Sequence, residues 1–114
     1  MSPEALKEAV RIAIGRVAVG ADLHVPDRAA GLVVFAHGSG SSRHSSRNRY
    51  VARELNAARL GTLLVDLLTP DEEAVDLRTR QLRFHIGMLA DRLVAVVDWL
   101  AGMDATRDLK PGYF

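Results

Sequence analysis

The chain has 114 residues, 48% of them hydrophobic and 25% charged, with a formal net charge of +1 and no cysteine. Such a length and balance fit one soluble globular domain or part of one, with enough apolar residues to bury a core. The near-neutral charge leaves no footprint for nucleic acid or a membrane surface, and the lack of cysteine excludes disulfides, thiolate metal ligands and a cysteine nucleophile. No apolar run reaches membrane-spanning length and the N-terminus lacks a signal-peptide core, so a cytoplasmic location is the default expectation.

Residues 2–8 read as a short leader. Val10, Ile12 and Ile14 then alternate with Arg11 and Ala13, and after Gly15-Arg16 the alternation resumes at Val17, Val19, Ala21, Leu23 and Val25. Two period-2 runs around a glycine predict a β-hairpin with one face covered and one facing water, ended by Pro26-Asp27-Arg28. Leu32 to Ala36 is apolar without alternation, the pattern of a central strand buried on both faces. It runs into His37-Gly38-Ser39-Gly40-Ser41-Ser42, a small-residue loop whose backbone N–H groups are suited to holding a negatively charged oxygen. A helix should follow, with Ser45 or Ser46 as N-cap, Val51, Leu55 and Ala58 on one face, and an end near Arg59 or Leu60 before Gly61.

Thr62 to Leu68 is a second continuous apolar strand, completing a right-handed βαβ unit. Thr69-Pro70 stops that strand, and Asp71, Glu72, Glu73 and Asp76 read as a solvated acidic loop. Leu82, Ile86, Leu89, Leu93, Val96, Val97 and Leu100 recur in steps of four and three, which predicts a long amphipathic helix lying on the sheet, with Trp99 packed beside its stripe and Gly102 as its stop. Lys110-Pro111-Gly112-Tyr113-Phe114 reads as the start of another buried strand. The expected organisation is therefore one partial domain over residues 1–114, cut inside or just after its fifth strand.

The order of hairpin, central strand ending in His37-Gly38-Ser39-Gly40, helix, strand and helix resembles the first half of an α/β-hydrolase. The stretch from Phe35 to Asn48 (Phe-Ala-His-Gly-Ser-Gly-Ser-Ser-Arg-His-Ser-Ser-Arg-Asn) resembles the loop after the third strand in the small bacterial hydrolases grouped with dienelactone hydrolases. That family usually has proline where this chain has Ser46. The fold class implied is α/β: a β-hairpin followed by parallel βαβαβ, in three layers with helices on the sheet. The resemblance further implies that one backbone N–H of the oxyanion hole comes from Gly38, Ser39 or Gly40, with Ser39 the first choice. The nucleophile would sit in a Gly-x-Ser-x-Gly turn directly after the fifth strand, with the acid and the histidine later in the chain. No such motif is present, and Gly38-Ser39-Gly40-Ser41 lacks the spacing. All three catalytic residues are thus expected beyond Phe114 and none in this chain. The implied substrate is a small-molecule ester or lactone, without a cofactor.

His37 has two readings, a general base or an anchor for the loop. A base needs a nucleophile within hydrogen-bond reach and the sequence offers none, so loop support is the expectation. Asp66, ending a buried strand at the same sheet edge, is expected to orient that loop or pair with an arginine. His24, His44 and His85 have no ligand spacing, so no metal site is expected. Arg43, His44, Arg47 and Arg49 gather where a helix begins, a place where positive charge opposes the helix dipole. Either Arg43, Ser45, Arg47 and Asn48 form an anion site with the helix N-terminal amides, or this is a solvated polar face. Two functions stay open: the N-terminal half of a serine hydrolase supplying the oxyanion loop, or a non-catalytic truncated module that binds an anion or a partner chain. Under both, the exposed edge of the C-terminal strand predicts self-association.

Overall fold

The computed structural model describes residues 6–37, 43–79 and 86–114, apart from the side chains of residues 76 and 77. The hairpin is the longest feature. Strands β1 (Leu6–Ile14) and β2 (Val17–Val25) pair antiparallel over their full length, from Ile14 opposite Val17 to Leu6 opposite Val25. Gly15 takes φ +59 in the connecting turn, a left-handed conformation that glycine adopts without steric cost. The first strand therefore begins at Leu6, inside the stretch read as a leader. Its polar start is held by pairing with Val25 to Asp22 rather than by apolar alternation of its own.

β3 (Gly31–His37) and β4 (Leu60–Asp66) pair in parallel, with α1 (Ser46–Ala57) crossing between them. β4 also pairs antiparallel with β2, and β5 (Pro111–Tyr113) adds in parallel to the other side of β3. The resulting sheet has the order β1-β2-β4-β3-β5. β4 starts two residues earlier than its apolar run suggested, because Leu60 and Gly61 are drawn into register with Gly31 and Leu32. Gly61 is thus a strand residue and not a helix stop: a Cβ there would lie 3.3 Å from Leu32 Cδ1. The left-handed residue that ends α1 is Arg59, at φ 66.

One face of the sheet packs on α3 (Ile86–Ala101). Ile12, Val19, Leu23, Val34, Leu63, Val65, Val96 and Leu100 are buried there, with Trp99 packed alongside. The other face carries α1 over a smaller cluster of Phe35, Ala52 and Leu64. The period-2 rule accounts for β2, where Val19, Ala21 and Leu23 point to the α3 side and Gly20, Asp22 and His24 to the α1 side. Leu82 of the long helical stripe lies outside the described residues.

The acidic segment is a helix, α2 (Pro70–Thr79), and not a solvated loop. Thr69 and Pro70 do not merely stop a strand; they start this helix. The Thr69 Oγ1 accepts from the Glu72 N–H at 3.2 Å while the Glu72 carboxylate accepts from the Thr69 N–H at 2.9 Å, a reciprocal capping box. Proline at the first helical position gives up no hydrogen bond, and Asp71, Glu72 and Glu73 in the first turn complement the helix dipole. Glu72 is then extended into the core edge by Arg92 on α3, which binds it through both guanidinium nitrogens and also donates to the Leu67 carbonyl at 2.8 Å. Among the described residues no helix is long and apolar enough to cross a membrane.

Candidate functional site

β3 and β4 run parallel and end together, so their last residues, His37 and Asp66, sit side by side in the ladder at one edge of the sheet. In an open parallel sheet this carboxyl edge, outside the strand ends, is where a ligand can approach. The chain leaves β3 through residues 38–42 and re-enters the described structure at Arg43. Gly38, Ser39 and Gly40, the expected oxyanion donors, lie outside the described residues.

His37 is buried, with only 4% of its surface exposed. Its Nε2 lies 2.8 Å from Nδ2 of Asn48, the third residue of α1. An amide nitrogen only donates, so Nε2 is the acceptor and the neutral ring carries its proton on Nδ1. Nδ1 is buried, facing the end of β4, with Asp66 Oδ1 4.0 Å away. Burial pushes the imidazole below its ordinary pKa, against the opposing pulls of the Asp66 carboxylate and the Val65 backbone. The carbonyl of His37 accepts from the Leu67 N–H at 2.8 Å. His37 is thus held at both its ring and its backbone, with Nε2 occupied by Asn48.

Asp66 is held by Arg43. The Arg43 backbone N–H donates to Oδ1 at 2.7 Å and its guanidinium to Oδ2 at 2.6 Å. The adjacent pair is Arg49 and Asp22, at 2.7 Å, with Arg49 Nε also donating to the Arg43 carbonyl at 3.0 Å. Of the residues expected to hold an anion, Arg43 therefore faces an internal carboxylate, Ser45 caps α1 by accepting from the Asn48 N–H at 3.4 Å, and Asn48 holds His37. Arg47 is exposed on the first turn of α1.

Sequence reasoning gave the basic cluster and one of its counter-charges, since Asp66 was expected to orient the loop or pair with an arginine and Arg43 is that arginine; the second, Asp22, it did not give. Asp22 was hidden in the hairpin, and the signal for it was present: an acidic residue on the even, α1-facing side of β2. A groove of ≈ 420 Å³ runs beyond this network between the hairpin and α1, sharing Asp22 and Arg49 and lined also by His24, Arg53 and Asn56. His24 is half-buried there, its pKa lowered by burial and by Lys7. His44 is exposed, and His85 lies outside the described residues. Among the described residues no three His, Asp or Glu side chains are grouped to hold a metal ion.

No protein-family model matches the chain. The dienelactone hydrolase of Anabaena variabilis is 54% identical to it, with a TM-score of 0.90 and a match covering 98% of this chain and 52% of that one. Est1E from Butyrivibrio proteoclasticus superposes with a TM-score of 0.71 over 92% of this chain and 40% of its own, and at 19% identity shares the fold alone. A Mycobacterium tuberculosis protein named "Putative phosphoribosyl transferase" is 52% identical over 112 residues, which are 98% of this chain and 24% of that protein. The chain thus spans about a quarter of the curated relatives it matches and about half of the Anabaena hydrolase. Its mixed five-stranded sheet with flanking helices is the N-terminal part of the α/β-hydrolase architecture.

Proposed function

We propose that this chain is the oxyanion-loop half of a serine hydrolase acting on an ester or lactone. The observation that carries the reading is 54% identity to a dienelactone hydrolase across 98% of the chain. A serine supplied by the other half of the fold attacks the acyl carbon, and the carbonyl electrons move onto oxygen. A backbone N–H from Gly38, Ser39 or Gly40 donates to that oxygen, with Ser39 the first choice. Fixed donors of this kind lower the barrier by about 3 kcal/mol each, because they are already aimed where the charge appears. The histidine of the other half takes the serine proton and passes it to the leaving oxygen as the tetrahedral species collapses, and water then releases the acid and restores the serine.

His37 and Asp66 support the loop in this scheme, and no group of the chain acts as nucleophile, acid or base. The name of the Mycobacterium tuberculosis relative weighs less, because the chain is a smaller share of that protein than of the hydrolase. The alternative, a non-catalytic module that binds an anion, rests on Arg47 and the α1 N-terminus now that Arg43 and Arg49 face Asp66 and Asp22.

Joining residues 1–114 to the C-terminal half of the Anabaena hydrolase provides the test. The chimera is expected to hydrolyse para-nitrophenyl esters or a lactone, while the 114-residue chain alone does not. A folded chimera without hydrolase activity would count against the proposal.

A further inference from the structure

We propose that Arg43 is a positioning residue for the oxyanion loop and that Gly20, on β2, is the seat that lets it act. The inference rests on the hydrolase reading and adds to it the residues that hold the chain where it leaves residues 38–42. Ala21 pairs with Val65, so one step further along the antiparallel ladder brings Gly20 beside Asp66; His37 pairs with Asp66 on the other side. Gly20, Asp66 and His37 thus form a row across three strands, all on the α1 side of the sheet.

The guanidinium of Arg43 lies against Gly20 and reaches Asp66 beside it. A Cβ at Gly20 would stand 2.7 Å from Arg43 Nη1 and 3.0 Å from Cζ, so a side chain there would push the guanidinium end of Arg43 aside. Gly20 is not at a turn, so its bare Cα has a packing reason: it opens the space through which Arg43 reaches Asp66. Arg43 is tied there by three hydrogen bonds: N–H to Asp66 Oδ1, guanidinium to Asp66 Oδ2, and carbonyl from Arg49 Nε. Asp22 completes the charge balance, 3.7 Å from Arg43 Nε and 2.7 Å from Arg49. Two guanidiniums and two carboxylates meet in one partly buried cluster. Each guanidinium has its anion supplied from within the sheet.

The chain is therefore fixed on both sides of residues 38–42. On the entering side His37 is held by Asn48 at its ring and by the Leu67 N–H at its carbonyl. On the leaving side Arg43 is held by Asp66 and Arg49. Amide donors act in catalysis only to the extent that their position is set beforehand, and misplacement by about 1 Å can cost about a hundred-fold in rate. A lysine should not replace Arg43 here, since an ammonium on a flexible stem lacks the guanidinium fork that fills the space over Gly20 while reaching the carboxylate.

The test has two readouts. In the 114-residue chain, hydrogen exchange at the Arg43 amide should be slow and should speed up at least about ten-fold in Gly20→Ala and Gly20→Val, with the Leu63 and Val65 amides unchanged as a control for folding. In the chimera, the same variants and Arg43→Lys should lower kcat by about ten-fold or more and leave KM within about two-fold, the signature of a transition-state contact. Unchanged Arg43 exchange in Gly20→Val would overturn the proposal, as would a loss carried by KM. Inorganic phosphate supplies the opposing case: thermal stabilisation of the chain by phosphate that Arg43→Lys abolishes would make Arg43 an anion ligand instead. If the unmodified chimera is inactive, the hydrolase reading fails by itself, and the exchange experiment still decides whether Gly20 seats Arg43.

Discussion

The carboxylate of Glu72 caps the start of α2 and neutralises the nearly buried guanidinium of Arg92, so it is ionised at all ordinary pH. Its hydrogen bonds to Arg92 and Thr69 hold its pKa at about 2, against the cost of burial, from an ordinary value of 4.5. A carboxylate whose folded pKa is depressed contributes stability that is complete above the unfolded pKa and is lost as the pH falls through the folded one. Allowing for solvent screening, that contribution is about 2 kcal/mol. Glu72→Gln should therefore lower the unfolding free energy by about 2 kcal/mol at neutral pH, since Arg92 is left without its counter-charge. The single tryptophan, Trp99, reports this by fluorescence in urea. The gap between variant and parent should close as the pH drops from 4.5 toward 2. His24 and His37 act in the same direction at higher pH: both pKa values are lowered chiefly by burial, so stability begins to fall as the pH drops below 6.5 and the unfolded chain takes up protons that the folded one refuses. At this scale the sequence was legible for identity and only in part for partnership. Asp66 could be expected to pair with an arginine, but its bond to Arg43 spans 23 residues of chain, and nothing local says which arginine it is.

Among the elements, those with a sustained period were legible. The alternation of β2, the unbroken apolar runs of β3 and β4 and the stripe of α3 each reflect a face that must be buried, and each forms where its period placed it. Their ends were less legible, because a strand stops where its partner stops: Leu6 and Leu60 are strand residues through register with Val25 and Gly31. α2 departs from the expected loop for a different reason. Its apolar face is weak and its first turn acidic, which resembles a loop, yet Thr69-Pro70-Asp71-Glu72 carries a cap, a helix-starting proline and the reciprocal glutamate. Thr69→Ala should cost about 1 kcal/mol, read as a shift in the urea midpoint. Arg59, holding φ 66 at the end of α1, predicts the opposite sign. Arg59→Gly should gain up to about 1 kcal/mol, because glycine meets no Cβ penalty in the left-handed region.

At the scale of the whole molecule, the hairpin and the position of β5 set the shape, which is 50 Å in its longest dimension. β5 stands last in the sheet, paired only with β3 among the described strands, and its outer edge carries backbone groups open to another chain. Tyr113 and Phe114 are 60% and 66% exposed, although the Phe114 ring stacks on Phe35 with centroids 4.8 Å apart. An apolar pair beside an open edge favours association, so the isolated 114-residue chain should form dimers or larger species in light scattering, and Tyr113→Lys with Phe114→Lys should shift it toward monomer. A monodisperse monomer at high concentration would speak against this. Under the proposed function, residues 1–114 build one wall of an active site and the reacting serine comes from another stretch of chain. The most direct measurement is a serine-directed fluorophosphonate applied to the chimera with the Anabaena C-terminal half, with the labelled residue located by mass spectrometry. The proposed function predicts a label on a serine of the added half and none on residues 1–114; a phosphonyl group on Ser39 or any other serine of this chain would contradict it.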